Sequence, residues 1–83
     1  MPLMRAIQFD RLQTVEFLLS VGADINALGP NKETVLHIAC KFQAIHCVTF
    51  IIEQAGSDIL SKPDTNGWTP LHYCAIYGLF SPL

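Results

Sequence analysis

The chain repeats itself at a nearly fixed offset, and that repetition constrains its fold more than any other feature. Leu12, Val15, Leu18 and Leu19 recur thirty-three residues later as Ile45, Val48, Ile51 and Ile52. Both sets stand at i, i+3, i+6 and i+7, which places four apolar side chains on one face of a helix. Phe17 and Phe50 keep the same offset. Each run ends at a glycine, and matching segments follow: Gly22-Ala23-Asp24-Ile25-Asn26 and Gly56-Ser57-Asp58-Ile59-Leu60. Glycine just past a helix suits a left-handed C-cap, which is the role expected of Gly22 and Gly56.

A second block precedes each of these helices. Thr34-Val35-Leu36-His37-Ile38-Ala39-Cys40 returns thirty-five residues on as Thr69-Pro70-Leu71-His72-Tyr73-Cys74-Ala75, and Met1-Pro2-Leu3-Met4-Arg5-Ala6-Ile7 is a weaker first copy. Each unit therefore reads as short helix, tight turn, longer helix, glycine stop and extended polar loop. The loops carry Leu28-Gly29-Pro30-Asn31-Lys32 and Lys62-Pro63-Asp64-Thr65-Asn66-Gly67, both dense in turn formers. Neither helix of a unit can bury its apolar face alone, whereas stacking successive units buries both, as in a solenoid.

Composition fits a folded stack of low charge. Half of the 83 residues are apolar (51%) and only 14% are charged, which argues against disorder. A formal charge of −2 leaves no electrostatic footprint for nucleic acid. The apolar runs fall far short of the ~20 residues that a membrane-spanning helix needs, so no membrane insertion is expected. Met1-Pro2-Leu3-Met4-Arg5 lacks the apolar core of a signal peptide, and an intracellular chain, cytoplasmic or nuclear, is the expectation. Cys40, Cys47 and Cys74 are an odd set within apolar stretches, and three reduced, buried thiols are expected.

The pattern resembles the ankyrin repeat. Thr69-Pro70-Leu71-His72-Tyr73-Cys74-Ala75 is close to that family's T-P-L-H-x-A signature, Gly22-Ala23-Asp24-Ile25-Asn26 to its glycine-alanine-aspartate turn, and Asp64-Thr65-Asn66-Gly67-Trp68 to its hairpin tip. The resemblance implies an all-α solenoid of stacked helix-turn-helix units joined by β-hairpin-like loops. Its units would be about 1–33 and 34–68, with a partial third at about 69–83. Departures are visible. Met1, Met4 and Asp10 stand where threonine, histidine and glycine are usual, Gln43-Ala44 where glycine-histidine is common, and Gly29 and Lys32 where aspartate and glycine are normal. After Gly78 only Leu79-Phe80-Ser81-Pro82-Leu83 remain, so the third outer helix would be missing and Leu71, Ala75 and Leu79 left uncovered.

Several side chains invite a chemical reading. His37 and Cys40 share a helix face, and His46-Cys47 and His72 with Cys74 add further nitrogen and sulfur atoms, but zinc needs about four converging ligands. His37 and His72 occupy equivalent positions and would point the same way along a stack. The resemblance instead implies that Thr34–His37 and Thr69–His72 tie hairpin to helix by hydrogen bonds. No nucleophile constellation or phosphate-binding glycine loop is present, so no catalysis, metal or cofactor is expected.

The resemblance further implies a concave partner-binding face. Carried over position by position, it comprises Gln8 and Phe9, Lys41 and Phe42, and Ile76 and Tyr77. One hairpin tip adds Leu28, Pro30, Asn31 and Glu33, and the next adds Pro63, Thr65, Asn66 and Trp68. Phe9, Phe42 and Tyr77 recur at one repeat position, which fits either a binding ladder or inter-repeat packing. Asn26, with Leu18 eight residues upstream, matches the pattern of asparagines hydroxylated in this family; its counterpart in the second unit is Leu60. The function expected is a non-catalytic protein-binding module, with self-association through the uncovered C-terminal end as a further expectation. The alternative is a regulatory segment cut from a larger enzyme, channel or transcriptional regulator.

Overall fold

A computed structural model describes residues 2–78. Five α-helices follow one another: α1 (Pro2–Gln8), α2 (Leu12–Ser20), α3 (Val35–Lys41), α4 (Ile45–Ala55) and α5 (Pro70–Tyr77), with a 3-10 segment at Ser57–Ser61. No strand occurs among the described residues. Helix α1 pairs with α2 and α3 with α4, each pair joined by a three-residue turn. The short helices α1, α3 and α5 pack side by side in one row, and α2 packs on α4 in a second.

The core fills the space between the rows. Leu3, Ile7, Val15, Leu36, Cys47 and Ile51 are all essentially without solvent contact. Burial of a side chain such as Leu36 or Ile51 contributes roughly 1.5–3 kcal/mol. The repeated apolar stripe is only partly buried, however. Val48 and Ile51 are interior, but Ile45 is 55% exposed, because it starts α4 at the edge of the outer row.

Both inner helices with a threonine signature begin in the same way. Thr34 and Thr69 are extended N-caps whose hydroxyls accept the His37 and His72 backbone N–H, while the Thr34 and Thr69 N–H groups donate to the histidine Nδ1 atoms at 2.9 and 3.0 Å. This reciprocal arrangement satisfies two otherwise orphaned donors at each helix start.

The helix ends differ from one another. Val21 follows α2, and the next two residues close a Schellman pattern: Gly22 N–H donates to the Leu19 carbonyl at 3.2 Å and Ala23 N–H to that of Leu18 at 2.9 Å. Gly22 has φ 107°, which a side chain would oppose. Gly56 departs from the left-handed cap expected of it. Its φ of 89° is still one that favours glycine, but ψ 159° takes it out of the left-handed helical well as the chain turns directly into the 3-10 segment. The left-handed glycine cap occurs at Gly78, after α5.

Three thiols were expected, and the structure corrects this. Cys40 and Cys74, both fully buried, are joined as a disulfide, and Cys47 is the free thiol. The side-by-side packing of α3 and α5 brings the two Cα atoms to 5.0 Å, within the usual range for a disulfide.

Candidate partner-binding face

Two hairpin-like loops project from the stack. In the second, Asp64 N–H donates to the Trp68 carbonyl at 2.8 Å, and the Asp64 carboxylate accepts the Asn66 and Trp68 N–H groups, each at 2.9 Å. Asp64 is only 6% exposed, and its other oxygen accepts the Tyr73 hydroxyl at 2.6 Å. The Tyr73 contact, opposed by burial and reinforced by the two N–H groups, holds the Asp64 carboxyl below the usual carboxylate range. The same contact, with burial, pushes the Tyr73 phenol up to about 12.

His37 links this loop to the repeat before it. Its Nδ1 accepts from Thr34 N–H, so Nε2 carries the proton and donates to the Trp68 carbonyl at 2.7 Å. Both ring nitrogens are thereby engaged, and the ring meets the edge of Tyr73 at 4.9 Å.

The first loop reaches the same shape by a different route. Gly29 N–H donates to the Glu33 carbonyl at 2.8 Å, but position 29 has no carboxylate to hold the tip. Glu33 supplies it from the other end, its Oε1 accepting Asn31 N–H at 2.9 Å. A Cβ on Gly29 would stand 2.8 Å from that oxygen, so the glycine is what makes room for it. Lys32 at the tip has φ 61°, where the second loop has Gly67 at φ 84°. The loops are joined tip to tip by Thr65 N–H donating to the Asn31 carbonyl at 2.8 Å.

The turns between inner and outer helices also require a left-handed residue. Asp10 and Gln43 both have φ 56° at the place Gly78 takes in the third unit. Each uses its side chain to reach the next repeat. Asp10 Oδ1 accepts the Cys47 N–H at 3.1 Å and Oδ2 contacts His46 Nδ1 at 2.7 Å, while the Gln43 amide donates to the Tyr77 carbonyl. Partial burial alone would raise the Asp10 carboxyl, but the His46 ring and the Cys47 N–H outweigh it and leave it below its ordinary value. Burial, then the Asp10 carboxylate, pushes the Cys47 thiol up to about 12, which keeps it protonated and inert at neutral pH.

Between α1, α3 and the first loop lies an open groove of about 550 Å³, lined by Met4, Arg5, Gln8, Leu28, Gly29, Pro30, Ile38 and Phe42. Of the residues singled out in the sequence, Gln8, Leu28, Pro30 and Phe42 meet here. Lys41 lies at the margin, its Nζ 5.7 Å from the centre of the Phe42 ring. Phe9, Phe42 and Tyr77 are 57%, 44% and 41% exposed, so none is an interior side chain. Phe9 borders a separate depression with Pro2, Ala6 and Leu18 at the end of the stack. Asn31, Pro63, Thr65, Asn66, Trp68 and Ile76 are exposed but do not line the groove, and Glu33 is turned onto the Asn31 backbone. Asn26 is exposed in its turn, its N–H bound by the Asp24 carboxylate at 2.8 Å. Leu71 and Ala75 are exposed, whereas Met1 and Leu79 lie outside the described residues.

Sequence reasoning missed Met4, Arg5, Gly29 and Ile38 as groove residues. Arg5 and Ile38 are themselves thirty-three residues apart, so the repeat offset contained the signal.

Two rows of helices, paired threonine–histidine caps and loops bonded tip to tip define a helical repeat stack. A model of ankyrin repeats (three copies) matches residues 3–81, and the chain belongs to this family. The ankyrin repeat domain of human ASB11 superposes with a TM-score of 0.83 at 25% identity, covering 95% of this chain and 35% of that one. Among curated proteins, the chain is 33% identical over 64 residues to tyrosine-protein kinase HTK16 of Hydra vulgaris. It is 42% identical over 70 residues to the target of rapamycin complex 2 subunit AVO2 of Saccharomyces cerevisiae. These alignments cover 77% and 83% of this chain but only 8% and 16% of the two relatives. Proteins of this family are generally protein-interaction modules without catalysis of their own. No helix among the described residues is long and apolar enough to cross a membrane.

Proposed function

We propose that the chain binds another protein through its concave side, the face formed by α1, α3 and the first loop. The observation that carries this reading is the groove in which Leu28, Pro30 and Phe42 leave apolar surface uncovered beside Arg5 and Gln8. Exposed aromatics beside a rimmed apolar groove are the usual anchors of protein recognition. Phe9, Tyr77, Ile76 and the second tip, with Trp68, extend the same side along the stack. Lys41, Asn31, Pro63, Thr65 and Asn66 form its margin, and the protein acts by binding alone.

Replacing Phe42 and Tyr77 together by alanine is expected to weaken partner binding while far-UV circular dichroism stays unchanged. Loss of helicity in that variant would instead make the rings part of the packing.

A second reading makes the array a regulatory segment of a longer protein, and it is favoured by the small share of HTK16 and AVO2 that the chain spans. An open reading frame carrying further repeats or a catalytic domain would decide for it. Asn26, exposed in its turn, is the proposed hydroxylation site, tested by a one-oxygen mass shift in its peptide after enzyme treatment.

A further inference from the structure

We infer that the concave groove takes an acidic peptide with a bulky apolar side chain. The inference rests on the concave face being the binding face, and it names the kind of partner. The chain as a whole is acidic, with seven Asp and Glu against five Lys and Arg, yet its charges are segregated. Asp10 is committed to His46 and the Cys47 N–H, and Glu16 and Glu53 line the opposite, outer groove between α2 and α4. Asp24 and Asp58 lie beyond the ends of the outer helices, and Asp64 is buried in the second loop. Glu33 alone stands near the groove, and its carboxylate is turned onto the Asn31 N–H.

Arg11 borders the depression at the end of the stack and Lys62 follows the 3-10 segment, but the other three of the five cations are placed differently. Arg5 lines the groove from α1, Lys41 ends α3 above Phe42, and Lys32 sits at the first tip. All three are exposed, and none makes an ion pair among the described residues. The groove therefore combines an apolar cleft with one unpaired cation on its wall, Arg5, and two more, Lys41 and Lys32, at its margin and tip, in a molecule of net negative charge. Such a rim attracts carboxylates and disfavours basic segments. A guanidinium at Arg5 offers a two-pronged donor to one carboxylate. The cleft of Met4, Leu28, Ile38 and Phe42 beside it accepts an apolar side chain. An extended peptide of about ten residues, at about 3.3 Å per residue, has the length of the 34 Å molecule.

The test is selection of random twelve-residue peptides displayed on phage against the full chain, repeated with Arg5→Glu plus Lys41→Glu and with Phe42→Ala. Circular dichroism and a urea titration establish that each variant is folded. The wild-type chain is expected to select peptides with several carboxylates next to a large apolar residue. The charge-reversed protein should bind them about tenfold or more weakly and select basic peptides in their place. Peptides of no particular charge, or the same peptides selected before and after charge reversal, overturn the inference. If such peptides are lost with Phe42→Ala, the concave face still binds and only the acidic partner fails. If they are indifferent to Phe42→Ala as well, the concave reading fails with it.

Discussion

The carboxylate of Asp10, in the first turn between helices, reaches His46 Nδ1 at 2.7 Å in the following repeat. Its other oxygen accepts the Cys47 N–H, at the third position of α4. The N-cap of α4 is Ala44, which offers no side-chain cap, so Asp10 performs from a neighbouring unit what an N-cap side chain does locally. The contact joins two repeats and satisfies a helix start at once.

Asp10→Ala is expected to lower the unfolding free energy by about 1–2 kcal/mol, the range of a lost N-cap. Asp10→Asn keeps an acceptor for Cys47 N–H and tolerates the left-handed backbone, so it should cost less than alanine. Urea denaturation followed by circular dichroism gives the comparison.

Acid should destabilise the protein through two carboxyls. Asp10 and Asp64 both lie below their unfolded value near 3.8, so their stabilisation is present above that pH. It is lost as pH falls below 3.8 toward the depressed native values. The Tyr73 phenol works in the other direction. With a native pKa of about 12 against 10.0 unfolded, its contribution is intact below pH 10 and lost between 10 and 12. Unfolding measured across pH 2–6, with Asp10→Asn showing a shallower acid slope than the parent chain, would establish the first arm; ultraviolet titration of Tyr73 would establish the second.

Lys32→Gly should stabilise the chain. A lysine at φ 61° carries a strain of about 1–2 kcal/mol, from which the greater unfolded freedom of glycine subtracts up to about 1 kcal/mol. A net gain of about half to 1 kcal/mol in urea is expected, and the Lys32 N–H to Gly29 carbonyl bond is untouched because it uses backbone only.

The Cys40–Cys74 bridge closes a loop of 34 residues, for which chain entropy gives about 3–4 kcal/mol of stabilisation. Thiol counting in denaturant should find one reactive thiol per chain before reduction and three after. Reduction should lower the urea midpoint, and Cys40→Ser with Cys74→Ser should abolish that response. Three thiols in untreated protein would show the pair to be unbridged.

The row of inner helices and the row of outer helices were legible because apolar spacing and a repeated threonine–histidine block are local signals. Residue pairings across repeats were not. Asp10 and Gln43 look like defects in a glycine position, and only the stack reveals that their side chains reach His46 and Tyr77. Cys40 and Cys74 have the same character. An odd number of cysteines excludes complete pairing and nothing less, and the contact follows from how α3 lies on α5. Ile45 falls on the apolar stripe by spacing but on the edge of the outer row by position. Of the groove, Phe42 and Leu28 were found through the family's pattern, while Arg5 went unnoticed because one charged residue on a short helix looks like ordinary surface.

Glu33 and Gly29 behave as one structural unit. A redesign that restores the family's aspartate at position 29 alone would push its new Cβ against the Glu33 carboxylate and disturb the tip it was meant to improve. Changing Glu33 alone would leave the Asn31 N–H without its acceptor. Only the double exchange crosses from one solution to the other, so averaging sequences across relatives, one column at a time, is the wrong way to engineer this loop.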